Sequence, residues 1–109
     1  MTNNDKVPEL TNKEFDDFIH KGIVLIDFFA EWCMPCLMMA PIIDELSETF
    51  KGKIKFGKVN VGDNQELAQK FEVSSIPHLV ILRDGEIIEN IVGSISEEEL
   101  EGKLKEFIK

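Results

Sequence analysis

The chain has 109 residues, 43% of them hydrophobic, and 12 basic against 21 acidic side chains give it a formal net charge of -9. One domain, residues 1–109, is the expectation for that length, and the apolar content suits a packed core and not a disordered chain. The acidic balance argues against nucleic-acid and anionic-membrane binding, and nowhere do the roughly 18 consecutive apolar residues of a membrane span occur.

The start, Met1 to Lys6, has no basic region followed by an apolar stretch, so no secretory leader is expected and the predicted location is cytoplasmic. A short strand at Lys6 and Val7 is conceivable, with Pro8 confining it to a sheet edge. Thr11-Asn12-Lys13-Glu14 reads as a capping box, with Leu10 and Phe15 as the hydrophobic staple across it. Phe15, Phe18 and Ile19 then share a helical face, and Gly22 supplies the stop. Ile23 to Phe29 is almost continuously apolar, as in a strand covered on both faces, and only Asp27 interrupts it.

Apolar positions from Leu37 to Phe50 predict a long helix ending near Gly52, with Pro41 inside it and with Met38 and Met39 as core filler. Ile54 to Val59 reads as a strand. Asp63-Asn64-Gln65-Glu66 is a second capping-box pattern, leading to a short helix through Leu67 and Phe71. Leu79 to Leu82 and Glu86 to Val92 form two strand-like runs around Arg83-Asp84-Gly85, the pattern of an antiparallel hairpin. Ser96-Glu97-Glu98-Glu99 opens the last helix, with a staple from Ile95 to Leu100. This order predicts an α/β fold, a central mixed sheet flanked by helices on both faces.

Two cysteines three positions apart are too few for a structural disulfide framework, and closing so short a loop removes little unfolded-state entropy. Reactivity explains the pair better. Thiol-disulfide exchange needs one thiolate to attack and a second thiol near enough to resolve the mixed disulfide. A helix starting at Cys33 places its sulfur beside unpaired backbone N–H groups and the positive end of the helix dipole, which favours the thiolate. Cys33 is therefore the candidate nucleophile and Cys36 the resolving thiol. A zinc site would need about four ligands, and His20 and His78 are the only other soft candidates in the chain, so no metal is expected within one chain. A metal shared between two chains, or a redox-inert binding module, is the competing reading from another class.

The run Phe28-Phe29-Ala30-Glu31-Trp32-Cys33-Met34-Pro35-Cys36 resembles the thioredoxin family. The likeness continues through Asp27, Ala40-Pro41, Lys58, Ile76-Pro77 and Val92-Gly93, in order over about 100 residues. It implies the thioredoxin fold and a protein-disulfide reductase contributing to cell redox homeostasis. It also implies protein disulfides as substrates and a thioredoxin reductase as electron donor. The chain would act as a monomer with no cofactor beyond its own Cys33-Cys36 couple, and it has no glycine-rich dinucleotide fingerprint of its own. A glutaredoxin-like or disulfide-isomerase-like activity is the alternative within the same chemistry.

By the same likeness, Asp27 is the buried carboxyl that exchanges a proton with Cys36, and Lys58 is its charge partner. Burial should raise the Asp27 pKa and Lys58 should moderate that rise. Trp32, Met34, Pro35, Ile76, Pro77 and Gly93 would form a shallow apolar substrate surface around an exposed Cys33 sulfur, with Pro77 in a cis peptide bond. Four positions depart from the family pattern. Met34 replaces a glycine, Leu37 a basic residue, Phe29 a tryptophan, and His78 a threonine. His78 would be either a bland exposed histidine or, beside the dithiol, a source of pH-dependent activity.

Overall fold

Residues 7–109 are described by a computed structural model, and its elements grow from local signals in the chain. Helix α1 (Asn12–Ile19) is opened by Thr11, whose hydroxyl accepts the Lys13 N–H, while the Glu14 carboxylate accepts the Thr11 N–H at 2.8 Å. The capping box is formed, and Leu10 and Phe15 are both buried in the same cluster as the staple requires. Strand β1 (Ile23–Phe29) leads to α2 (Met34–Thr49), β2 (Ile54–Asn60) and α3 (Gln65–Lys70). The hairpin β3 (His78–Arg83) and β4 (Glu86–Val92) precedes α4 (Glu97–Phe107). At the hairpin turn Asp84 and Gly85 have φ of 51° and 89°, the pair of positive values that a tight two-residue turn demands.

The sheet order is β2-β1-β3-β4, with β1 parallel to β2 and antiparallel to β3, and β3 antiparallel to β4. Because side chains alternate across a strand, each central strand feeds two cores. Leu25, Leu79 and Ile81 pack with Met39, Ile43 and Leu46 of α2 and Leu100 and Leu104 of α4. Val24, Ile26, Phe28, Val80 and Leu82 pack on the other face with Phe15 and Ile19 of α1 and Leu67 of α3. This is the expected mixed sheet with helices on both faces.

The free edge of β2 is partly covered from the N-terminal side. Glu9 makes a single parallel bridge with Lys58, whose N–H and C=O pair with Pro8 and Leu10. The close approach of that segment explains Gly57, where a Cβ would stand 2.7 Å from Leu10 Cδ1 and 3.0 Å from the Phe18 ring. Of the conceivable strand at Lys6 and Val7, Lys6 lies outside the described residues and the bridge falls at Glu9 instead.

Three expectations change. Asn64, not Asp63, caps α3 and does so with no side-chain hydrogen bond, since its amide nitrogen donates to Asn60 O instead. Ser96 accepts the Glu99 N–H at 3.1 Å, one half of a capping box. Met39 is core, but Met38 and Leu37 are exposed, because the buried stripe of α2 runs Cys36, Met39, Ile43, Leu46 and neither of those two lies on it.

Candidate active site

The site stands where β1 gives way to α2. Cys33 is the N-cap of α2, in extended conformation at φ -91° and ψ 106°, and its sulfur accepts the Cys36 N–H at 3.2 Å. Pro35 follows in the first turn, where its missing N–H costs no hydrogen bond and its fixed φ suits a helix start. Cys33 and Cys36 form a disulfide with their α-carbons 5.3 Å apart, inside the usual range. The sulfur that ordinary capping would replace with a Ser or Asp oxygen thus faces the positive end of the helix.

Both cysteines are only 4% exposed, so the expectation of an open Cys33 sulfur is corrected. Ala30 clusters with them, and Phe29, Val61 and Ile76 pack against the group. What stands open is the rim: Trp32 is 77% and Met34 65% exposed. Trp32 is surface, not core. The Ile76-Pro77 peptide is cis, and Pro77 O accepts the Gly93 N–H at 2.8 Å, which ties the two loops together. Gly93 has φ 93°, a region that disfavours any residue with a Cβ. Cys33, Cys36 and Ile76 are therefore in one cluster, and Pro77 and Gly93 are joined beside it.

Asp27 occupies the strand position three residues before Ala30, with parity that turns it toward the α2 face. It is buried, and its Oδ1 has no hydrogen-bond partner. Burial raises its pKa to about 7; the Lys58 ammonium opposes the rise and the Asp44 carboxylate adds to it. Lys58 is the register partner of Asp27 across β1 and β2, and its ammonium lies 5.7 Å from the Phe29 ring centre. An unpaired buried carboxyl is costly when charged and much less so when protonated. The α2 face of the sheet therefore holds a buried group able to give or take a proton near neutral pH.

His78 is buried, not exposed as expected. Its Nε2 donates to Asn90 Oδ1 at 2.8 Å, its Nδ1 is buried without a partner, and its ring meets Phe28 edge-on. Its parity with Val80 and Leu82 sends it to the α1 and α3 face, opposite Asp27. The sequence reading missed Asp44, Val61 and Asn90. Asp44 had one available signal, since it lies eight residues after Cys36, about two helical turns along α2. Among the described residues no cluster of three or more His, Cys, Asp or Glu is arranged to hold a metal ion, and no helix is long and apolar enough to cross a membrane.

Residues 6–106 match the family model described as Thioredoxin. The chain is 43% identical over 94 residues to thioredoxin of Staphylococcus saprophyticus, an alignment covering 86% of this chain and 90% of the relative. It is 42% identical over 95 residues to thioredoxin of Bacillus subtilis, covering 87% and 91%. Thioredoxin of Staphylococcus haemolyticus is similar at 42% over 94 residues, covering 86% and 90%.

Proposed function

Given that the chain belongs to the thioredoxin family and is a thiol-disulfide oxidoreductase with a redox-active cysteine pair, we propose a division of labour among its residues. Cys33 is the nucleophile. Its thiolate attacks a sulfur of the substrate disulfide, forming a mixed disulfide and releasing one substrate thiolate. Cys36 then attacks Cys33 Sγ, which forms the Cys33-Cys36 disulfide and expels the second substrate thiolate. Two electrons pass to the substrate, and its two new thiols take up two protons. Asp27 accepts the Cys36 proton, held near the right pKa by burial against the pull of Lys58. What supports this reading is the dithiol at a helix N-terminus, together with a buried carboxyl that has an unpaired oxygen and lies on the sheet face that α2 covers.

Trp32, Met34, Pro35, Ile76, Pro77 and Gly93 form the surface that receives the substrate. An extended segment would lie along the Ile76 backbone. The whole chain works as one domain and a monomer in the cytoplasm, with protein disulfides as substrates and a thioredoxin reductase restoring the dithiol. No nucleic acid, membrane, metal or further cofactor takes part. Redox titration of the purified protein, with mass readout of the two thiols, is the test. A reversible couple more reducing than the glutathione poise of about -220 to -260 mV is expected. A more oxidising couple would point to oxidase or isomerase work, and no reversible disulfide at all would end the reading.

A further inference from the structure

Beside the dithiol lies a groove of about 550 Å³. Met34, Pro35, Met38 and Ile42 of α2 form one wall, and Ser94 and Ile95 of the connection from β4 to α4 form the other. Of the proposed substrate surface only Met34 and Pro35 line it, and Trp32, Ile76, Pro77 and Gly93 do not. Met34 and Met38 are one helical turn apart and are 65% and 70% exposed. Neither contributes to the buried stripe of α2, so folding alone gives no reason for two thioethers in that place. Contiguous exposed apolar surface of this kind marks contact with a partner.

Two observations identify the partner. The groove is continuous with the reacting centre, because Met34 and Pro35 stand between the two cysteines. Any polypeptide joined to Cys33 must pass within a few residues of it. The groove is also set in acidic surroundings: no lysine or arginine occurs from Glu31 to Phe50 or from Asp84 to Gly102. Exposed Glu97, Glu98 and Glu99 follow directly after its far wall. We propose that this groove is a specificity subsite of the reductase, taking an apolar side chain near the disulfide of a substrate segment that also carries lysine or arginine. The inference rests on the disulfide-reductase reading above. Flexible, polarizable methionines let one groove accept leucine, methionine or phenylalanine without a fixed shape, and the surrounding carboxylates favour cationic segments over anionic ones.

The test uses the reduced full chain, desalted, in single turnover against two disulfide-ringed peptides of the same ring size. One carries Leu and two Lys beside the cysteine, the other Ser and two Glu. The first peptide is expected to react about tenfold faster, the discrimination typical of one apolar side chain in a pocket. Met38→Lys places an ammonium in the groove on an exposed helical position that lysine suits, and Ser94→Lys does so from the opposite wall. Each is expected to cut the preference to about threefold or less, with circular dichroism confirming the fold. Equal rates for the two peptides in the unaltered protein would overturn the subsite, as would a preference that survives in both variants. Failure to reduce either peptide, or a small aromatic disulfide, would instead take down the reductase reading on which the subsite rests.

Discussion

Helix α2 carries apolar residues along its whole length, and those near its two ends meet different fates. In the C-terminal half Ile43 and Leu46 are at most 2% exposed, closing the core against Leu25, Leu79 and Ile81. In the N-terminal half Leu37 and Met38 are 51% and 70% exposed, and Met34 with them. The buried stripe of α2 runs through both halves as Cys36, Met39, Ile43 and Leu46, whereas Leu37 and Met38 lie off it and Met34 stands at the helix start. In the proposed reading those exposed apolar residues meet the substrate, and the helix end serves chemistry. One element is thus anchored at one end and reactive at the other.

The sharpest way to break this contrast is Cys33→Ser. Disulfide reduction is expected to fall by more than about a thousandfold, measured as peptide reduction in single turnover, while the thermal midpoint of the reduced protein moves by only a few degrees. Asp27→Asn comes next. The folded Asp27 pKa lies above its unfolded value, so its contribution to stability is fully present below about pH 4 and is lost as pH rises through about 7. The loss is about 4 kcal/mol if the whole rise is expressed. The Asn variant, which carries no such charge, is therefore expected to be more stable than the unaltered oxidised protein at pH 8 by up to that amount. The gap should close toward pH 4, as followed by denaturant melts at each pH. The same variant is expected to resolve mixed disulfides about tenfold more slowly at pH 7, and an unaltered rate would remove Asp27 from the proton path.

A cavity in the anchored half is the next test. Leu46→Ala is expected to cost about 2–5 kcal/mol with the rate per folded molecule retained, whereas Leu37→Ala in the reactive half should cost less than about 0.5 kcal/mol. Urea melts of the two variants side by side would expose any error in dividing the helix this way. The smallest effect is expected from Leu37→Lys, which restores a cation near the dithiol. It should speed alkylation of Cys33 in the reduced protein by about twofold near neutral pH by favouring the thiolate, read with an uncharged alkylating agent.

Much of this was legible in the chain. The Thr11 box, the Gly22 stop and the Asp84-Gly85 turn are local devices whose geometry is set within a few residues, and they appear where the sequence places them. The dithiol was legible because exchange chemistry requires a particular spacing. Leu37 and Met38 were misread because a run of apolar residues around a helix does not say which stripe the sheet will cover. His78 was misread for a related reason. Its burial depends on the parity of β3 against two neighbouring strands, and on Asn90 being present across the hairpin to accept its Nε2 proton. At Asn64 the side chain found a backbone carbonyl in place of the helix end, a competition between two acceptable hydrogen bonds that the pattern alone does not decide.

The Cys33 cap has a consequence for how easily electrons move. In the oxidised chain the Cys36 N–H points at a disulfide sulfur, a weak acceptor. After reduction the same N–H meets a thiolate, and a hydrogen bond to an ionised acceptor is roughly twice as strong. Reduction gives up the covalent link, and the N–H that caps the disulfide form is the donor best placed to hold the thiolate that results. The same cap thus favours the leaving of Cys33 as a thiolate whenever an incoming thiolate attacks the disulfide.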